Sequence, residues 1–447
     1  MKIFFYCQKI NYLRVYSTLI QEAINRNYHV EICFDQNVVE LSDIEKQLIY
    51  EKNKNKLVLK FFKSDFDIVN YLTLNTDIDI YILIYPEKYL VDKKIISLVS
   101  NKVVLIMSGV DTVATYMHWH LMYQNNPLYR HTYKKYLFVW TDQFFNEQVN
   151  IVKRYGNKIE KKNMKYFSNS NIEIVQVGFN EINNNINELD KELIRQEFNI
   201  EKNKNILTYL PYPASFDRPN KSWQAAYSGI YANYRYEGNK NSILNKLTVI
   251  AKYIYLYACV IVSPTSIFWI IKGYSEKKMI KSIKKFCEKN NLLFVIKKRN
   301  KHRLIDEGYN LADLVIDDRE NNTYPTNYQK LLRISKLVMG YHSTAVFESV
   351  KMNVPFLNIE SPNGHWQSNL VKQFFSVKKK SYLNYPKVVW NYKIKDILRN
   401  FEKMHLNNFQ INSDYKKKYI EEFLNKKSNH NLDYLFNKLE KLKIENQ

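Results

Sequence analysis

Glycine is scarce in this chain, with nine among 447 residues. Neither GxGxxG nor GxxxxGK[ST] occurs, which excludes the usual dinucleotide fingerprint and the P-loop. Cysteine is scarcer still, at four. Cys7, Cys33, Cys259 and Cys287 show no CxxC spacing, and two stand inside apolar runs. They read as reduced core residues, not as a disulfide frame or a zinc site. No small-residue cleavage site follows the apolar start Ile3 to Cys7, because polar Gln8 and Lys9 come at once. That start reads as a first strand and not as a signal peptide. RNP-like, helix-turn-helix and zinc-finger patterns are also missing, so no nucleic-acid partner is expected.

What is present fills cores. Hydrophobic residues make up 45% and aromatics 15%, enough to exclude a disordered chain. Lys and Arg number 67 against 44 Asp and Glu, a formal net charge of +23. Such a balance favours phosphorylated substrates, anionic membrane surfaces or nucleic acid. Lys, Asn, Ile and Tyr are enriched together, however, so charge alone selects no partner. The length suits two domains of about 200 residues each.

Apolar runs of strand length alternate with amphipathic stretches from the first residue. Ile3 to Cys7, Val30 to Phe34, Leu57 to Phe62, Ile80 to Ile84, Val103 to Met107, Leu137 to Trp140 and Ile172 to Val177 read as strands. Leu13 to Asn25, Asp65 to Leu74 and Gln143 to Arg154 read as helices between them. Continuous apolar strands separated by helices predict a parallel sheet covered on both faces. A polar, Asn-rich stretch from Glu181 to Glu188 is the natural linker. The alternation restarts with strands at Ile206 to Pro211, Leu292 to Ile296, Leu314 to Ile316, Leu337 to Met339 and Phe356 to Ile359. The expected domains are an N-terminal Rossmann-like domain over 1–180, a linker and helix over 181–204, a second Rossmann-like domain over 205–412, and C-terminal helices over 413–447. Those helices, broken at Ser428 to Asn431, are expected to strap the two lobes.

An uncharged stretch from Tyr253 to Ile271 lies in an apolar insertion near 212–275. It approaches the ~20 residues of a membrane span, but Ser263-Pro264-Thr265-Ser266 breaks it. Two short apolar pieces joined by a turn fit either a buried insertion or a shallow membrane dock with Trp269 at headgroup level.

The chemistry is concentrated between Leu293 and Glu360. Leu337 to Gly340 is a buried strand, Tyr341-His342-Ser343 a sharp turn, Thr344 to Val350 a helix, and Pro355 to Ile359 the next strand. Ser343 or Thr344 can cap the helix, leaving free N–H groups and the helix dipole at the strand's carboxyl end, where an anion suits. Open α/β sheets bind ligands at that edge. Glu348, one turn on, can take two ribose hydroxyls. The bland alternative is a plain capped helix with a favourable first-turn acid. Upstream, Leu293 to Ile296 empties into the basic run Lys297-Lys298-Arg299-Asn300-Lys301-His302-Arg303. Cations there suit an anionic ligand, or can simply form a solvated basic loop. Asp317-Asp318 and Tyr324-Pro325 follow the next strand and can shape a base pocket.

This order of strand, Ser/Thr turn, helix with Glu and Val-Pro-Phe-Leu strand resembles the donor site of GT-B glycosyltransferases. It is nearest to bacterial surface-polysaccharide transferases and to CDP-glycerol glycerophosphotransferase-like and UDP-N-acetylglucosamine 2-epimerase-like proteins. The resemblance implies two Rossmann-like doubly wound domains facing a cleft. Ser343 and Thr344 would then contact donor phosphate and Glu348 the ribose, with His342 in the same turn. Lys297, Lys298, Arg299 and His302 would neutralise the diphosphate. Tyr341 and His342 stand where many members carry a Gly-rich turn.

In the first domain, Val103 to Val110 leads to Asp111, followed by His118-Trp119-His120. Asp111 and His118 are the candidates for a base acting on an acceptor hydroxyl. Gln8, Lys9 and Arg14 can line the acceptor side. No metal and no bound cofactor are expected. The expected partners are a UDP-, CDP- or CMP-linked sugar and a glycan or lipid-linked acceptor. The expected location is the cytoplasm or the inner face of the cytoplasmic membrane. The alternatives are transfer of an alditol phosphate from a CDP donor, or a non-catalytic polyanion- or membrane-binding protein.

Overall fold

The computed structural model describes residues 1–7, 10–35, 56–85, 102–107, 136–139, 173–176, 190–211, 276–299, 304, 306–318, 324–341, 343, 345–360, 381–424 and 428–445. Two compact units emerge. Unit 1 comprises Met1–Leu189, Asn321–Lys330 and Lys417–Gln447, and unit 2 comprises Asp190–Glu320 and Leu331–Lys416.

In unit 1, β1 (Lys2–Cys7), α1 (Leu13–Asn25), β2 (His29–Phe34), β3 (Leu57–Phe61), α2 (Asp65–Leu74), β4 (Ile80–Tyr85), β5 (Val103–Met107), β6 (Tyr136–Val139) and β7 (Glu173–Gln176) follow one another. The seven strands run in the order β3-β2-β1-β4-β5-β6-β7, every pair parallel. The order reverses between β1 and β4, the kind of switch point at which doubly wound sheets take ligands. Ile3, Phe5, Val30, Ile32, Ile80 and Ile82 form the core against Leu13, Tyr16, Ile20 and Ile24 of α1. Those α1 positions recur at helical spacing, so one stripe of the helix faces the sheet.

In unit 2, α3 (Lys191–Glu197), β8 (Asn205–Leu210), α4 (Glu276–Lys289), β9 (Leu292–Arg299), α5 (Asp306–Leu311), β10 (Leu314–Asp318), α6 (Asn327–Ile334), β11 (Ser335–Gly340), α7 (Ala345–Lys351), β12 (Phe356–Glu360), β13 (Val389–Lys393) and α8 (Ile394–Asn400) repeat the plan. The first residues of α6, Asn327 to Lys330, count with unit 1. Six parallel strands run β10-β9-β8-β11-β12-β13, with the switch between β8 and β11. Leu207, Tyr209, Phe294, Ile296, Leu337, Met339, Leu357 and Ile359 face Ile283 and Phe286 of α4 and Ile397 of α8. Successive strand residues point to opposite faces, so Thr208, Lys297, Val338 and Asn358 belong to the other side.

Asparagine does at the turns what glycine usually does. Asn27, Asn199, Asn291 and Asn353 hold φ of 63°, 54°, 50° and 61° where α1, α3, α4 and α7 turn into strands. At Asn27 and Asn353 the closing bonds are Tyr28 N–H to Ala23 O at 3.0 Å and Val354 N–H to Ser349 O at 2.9 Å. This left-handed cap satisfies carbonyls that the ending helix leaves open.

Two sequence expectations change. Lys297 to Arg299 read as part of a basic loop, but β9 runs through Arg299, with Ile316 paired to Lys297 and Asp318 to Arg299. Backbone pairing needs no apolar side chain. The expected break at Ser428 is instead the start of a helix. After α9 (Ser413–Tyr419), α10 (Ser428–Glu445) inserts Leu432, Leu435, Phe436, Leu439 and Leu442 into the core of unit 1. Polar contacts rim it: Arg26 pairs with Asp433, the Tyr28 hydroxyl donates to Glu440, and Lys443 lies 3.3 Å from Asp79.

Burial, then the Glu440 carboxylate at its hydroxyl, pushes Tyr28 up to about 12. Burial and then Glu31 also raise Tyr71 and Tyr81. In the unfolded chain these phenols ionise near about 10. Above that pH the folded chain therefore holds more protons than the unfolded one, so stability that is complete below pH ~10 falls as pH rises toward ~12. The urea midpoint should be lower at pH ~11 than at pH ~9, with the gap narrowed in Tyr28→Phe. Equal midpoints in the wild type would contradict the burial of these phenols.

Candidate functional site

β11 ends at Gly340, where an added Cβ would stand 3.1 Å from Leu210 Cβ and 3.4 Å from Phe356 Cζ. Glycine thus lets the end of β11 lie close against β8 and β12. Three residues later Ser343 caps α7: its Oγ accepts the Ala345 N–H at 3.2 Å and its carbonyl accepts the Val346 N–H at 3.2 Å. Ala345 through Val350 are all buried, and Glu348, in the first turn, is 2% exposed. The far end of α7 is fixed by the Ser349 hydroxyl, which donates to the Val354 carbonyl at 2.8 Å.

Strand register brings a cation to the same edge. Tyr209 pairs with Ile296, so the next residues, Leu210 and Lys297, are level; Leu210 pairs with Gly340. Lys297 and Gly340 therefore stand two strand spacings apart, about 10 Å. Lys297 is 7% exposed, a degree of burial that an ammonium tolerates only among compensating polar groups. Lys298 points elsewhere: its Nζ lies 2.9 Å from the Tyr309 hydroxyl and above that ring.

The row continues across the sheet. Gly340 pairs with Asn358 and Asn358 with Asn391, whose Oδ1 accepts from Asn358 Nδ2 at 2.8 Å. Asn358 Oδ1 and Asn391 Nδ2 are buried with no hydrogen-bond partner among the described residues. Leaving such a group unmatched costs about 1–3 kcal/mol. Neither asparagine figures among the sequence-based candidates, since each is a lone polar residue within a strand and only register joins them.

No protein-family model and no curated protein matches the chain. Solved structures do. The UDP-GlcNAc 2-epimerase from Neisseria meningitidis, bound to UDP-GlcNAc, aligns over 99% of this chain and 100% of its own, at 12% identity and a TM-score of 0.50. Arabidopsis thaliana UGT89C1, complexed with UDP-L-rhamnose, aligns over 98% of each chain at 10% identity and a TM-score of 0.50. Both alignments run nearly the whole length of the chain, through both sheets described above. The chain has the GT-B fold.

Within this GT-B fold, Lys297 stands at the carboxyl edge of the second unit's sheet near its switch point, and Ser343 and Glu348 follow β11 from that edge. Arg299 is at the same strand end as a strand residue. His302, His342, Thr344, Asp111, His118, Gln8, Lys9 and the stretch 253–271 lie outside the described residues. Tyr324 contradicts its expected place at a base pocket. It belongs to unit 1, is 1% exposed, and donates its hydroxyl to Ser17 Oγ at 2.8 Å. The core of unit 1 offers this ring an apolar setting that no local sequence pattern reveals.

Unit 1 adds a carboxylate absent from the sequence-based candidates. Asp35 directly follows β2, is 0% exposed, and accepts from the Tyr6 hydroxyl at 2.6 Å. Tyr16 of α1 donates to the Tyr6 carbonyl at 3.0 Å. An acid just past the carboxyl end of an apolar strand is the same signal that selects Asp111. Among the described residues no group of three or more His, Cys, Asp or Glu gathers as for a metal ion, and no helix is long and apolar enough to cross a membrane.

Proposed function

We propose that the chain is a glycosyltransferase that moves a sugar from a nucleotide-activated donor to a surface polysaccharide or lipid-linked acceptor. The observation that carries this reading is the level placement of buried Lys297 and the Gly340 end of β11, from which Ser343 and Glu348 follow, at a switch point of a GT-B fold. In this reading Lys297 and the N–H groups after Ser343 hold the donor diphosphate, and Glu348 accepts from the ribose hydroxyls. The acceptor oxygen bonds to the anomeric carbon as the bond from that carbon to the diphosphate breaks. The hydroxyl proton passes to Asp111 or His118, and the nucleotide departs with the bonding electrons. The cation counts most as charge builds on the leaving oxygen. No metal is assigned to the step. Support for a sugar nucleotide also comes from the two solved relatives, whose structures hold UDP-GlcNAc and UDP-L-rhamnose. A cytoplasmic location, or a peripheral one on the inner membrane face, gives access to such donors.

Thermal unfolding against UDP, CDP, CMP and their sugar conjugates tests this. A ligand present at 100 times its Kd stabilises by about 2.7 kcal/mol, or roughly 5 °C in Tm. A shift with a UDP- or CMP-sugar, accompanied by its slow hydrolysis, is the expected result. Selective stabilisation by CDP-glycerol with release of CMP would instead identify an alditol-phosphate transferase. Absence of any nucleotide effect, together with salt-sensitive binding to polyanions, would defeat both.

A further inference from the structure

The carboxyl end of α7 is held by a lysine from a distant stretch of sequence. Lys416 of α9 directs its Nζ at the Lys351 carbonyl, 3.4 Å away, and at Asn353 Oδ1, 3.2 Å away. Both acceptors stand where α7 stops: Lys351 is its last residue, and Asn353 is the left-handed residue that turns the chain toward β12. Lys351, Asn353 and Lys416 all belong to unit 2. An ending helix leaves its last carbonyls open and carries partial negative charge there, so a cation in that place stabilises it. The setting strengthens the effect. Burial lowers the Lys416 pKa from the ordinary lysine value, and a partly buried charge is screened less than an exposed one.

The lysine is itself fixed in place. Asn412 caps α9, its Oδ1 accepting from the Asp414 and Tyr415 N–H groups at 3.1 and 3.2 Å. The Asn412 N–H donates to the Lys387 carbonyl at 3.0 Å, and the Lys387 ammonium lies 5.2 Å from the centre of the Tyr415 ring. Earlier in the same stretch, buried Tyr382 stacks on Phe347 of α7, ring centres 5.2 Å apart. The chain from Tyr382 to Lys416 thus touches α7 at Phe347, the neighbour of Glu348, and again at its end. The Glu348 carbonyl accepts the Met352 N–H at 3.0 Å, so the turn that carries Glu348 is the turn that Lys416 closes. We propose that Lys416 is a positioning residue, which through the end of α7 fixes the placement of Glu348 and with it the grip on a nucleotide's ribose. The grip on ribose rests on the nucleotide reading above; the hold on α7 does not.

Amide hydrogen exchange and calorimetric titration of the full chain test it. Lys416→Met keeps the apolar stem and removes the charge, whereas Lys416→Arg keeps the charge. Without ligand, Lys416→Met should speed exchange about fivefold at Met352 and Val354, whose N–H groups close the end of α7, and Lys416→Arg should stay near the wild-type rate. Asn353→Gly keeps the left-handed turn but removes one acceptor; it should show the same change at smaller size, and serves if Lys416→Met fails to fold. In titration with UDP and CDP, Lys416→Met should weaken binding of the preferred nucleotide about threefold, with Lys416→Arg restoring it. Wild-type exchange at Met352 and Val354 in Lys416→Met would overturn the proposal. So would a lower urea midpoint with wild-type nucleotide affinity, the mark of a lysine that only stabilises the fold. If neither nucleotide binds the wild type, the nucleotide reading fails, the grip on ribose fails with it, and the exchange arm decides the hold on α7.

Discussion

Phe436→Ala is expected to lower the stability of unit 1 by about 3–5 kcal/mol, as truncating a buried phenylalanine does elsewhere. Phe436 is 0% exposed in the core cluster of unit 1. Its ring lies 6.0 Å from that of Tyr28, and the Arg26 guanidinium sits 5.0 Å above it. Removing the ring therefore leaves a cavity and takes an aromatic face from a cation. Tyr434→Ala is the control. Tyr434 is 48% exposed, and its loss should change stability by no more than about 0.5 kcal/mol. Urea unfolding separates the two, because a midpoint shift at constant slope reports stability alone. Equal, small shifts would mean that α10 is a loosely attached tail, not part of the core of unit 1.

Replacing Glu348 or Lys297 should have the largest effect on ligand binding. If Glu348 accepts from two ribose hydroxyls, each bond to its charge is worth about 1.5–3 kcal/mol, and Glu348→Gln should weaken nucleotide binding at least about tenfold. Lys297→Ala, which removes a buried cation that the proposed function sets beside the donor diphosphate, should weaken it about a hundredfold or more, and should reduce turnover further if charge grows on the leaving group. Calorimetric titration of the donor nucleotide, with Tm as a check on folding, reads both. Folded variants with wild-type affinity would remove these residues from the site.

The strands of both sheets up to β12 were legible as continuous apolar runs, because a parallel sheet covered on both faces needs nearly every residue apolar. β13 was not, since Val389-Trp390-Asn391-Tyr392-Lys393 alternates and forms an edge. The capped turn before Glu348 was legible too, through the order of residue types along a few positions. Its alignment with Lys297 was legible only as a shared strand-end location; the register that makes it definite is a long-range property. Tyr324 and the Asn358–Asn391 pair show the same limit more sharply. Their partners are Ser17, far along the chain, and the neighbouring strand, and no local periodicity marks such meetings.

The asparagines at the helix-to-strand turns bear on how such a chain evolves. Left-handed positions usually select glycine, whose codons all begin with two guanines, whereas asparagine is encoded by two adenines and a pyrimidine. With Asn27, Asn199, Asn291 and Asn353 in those positions, mutational drift toward A and T need not dismantle the turns of a doubly wound fold. It can replace their punctuation while the strands and helices they join keep their places. Identity with distant relatives can then fall very low while the architecture persists.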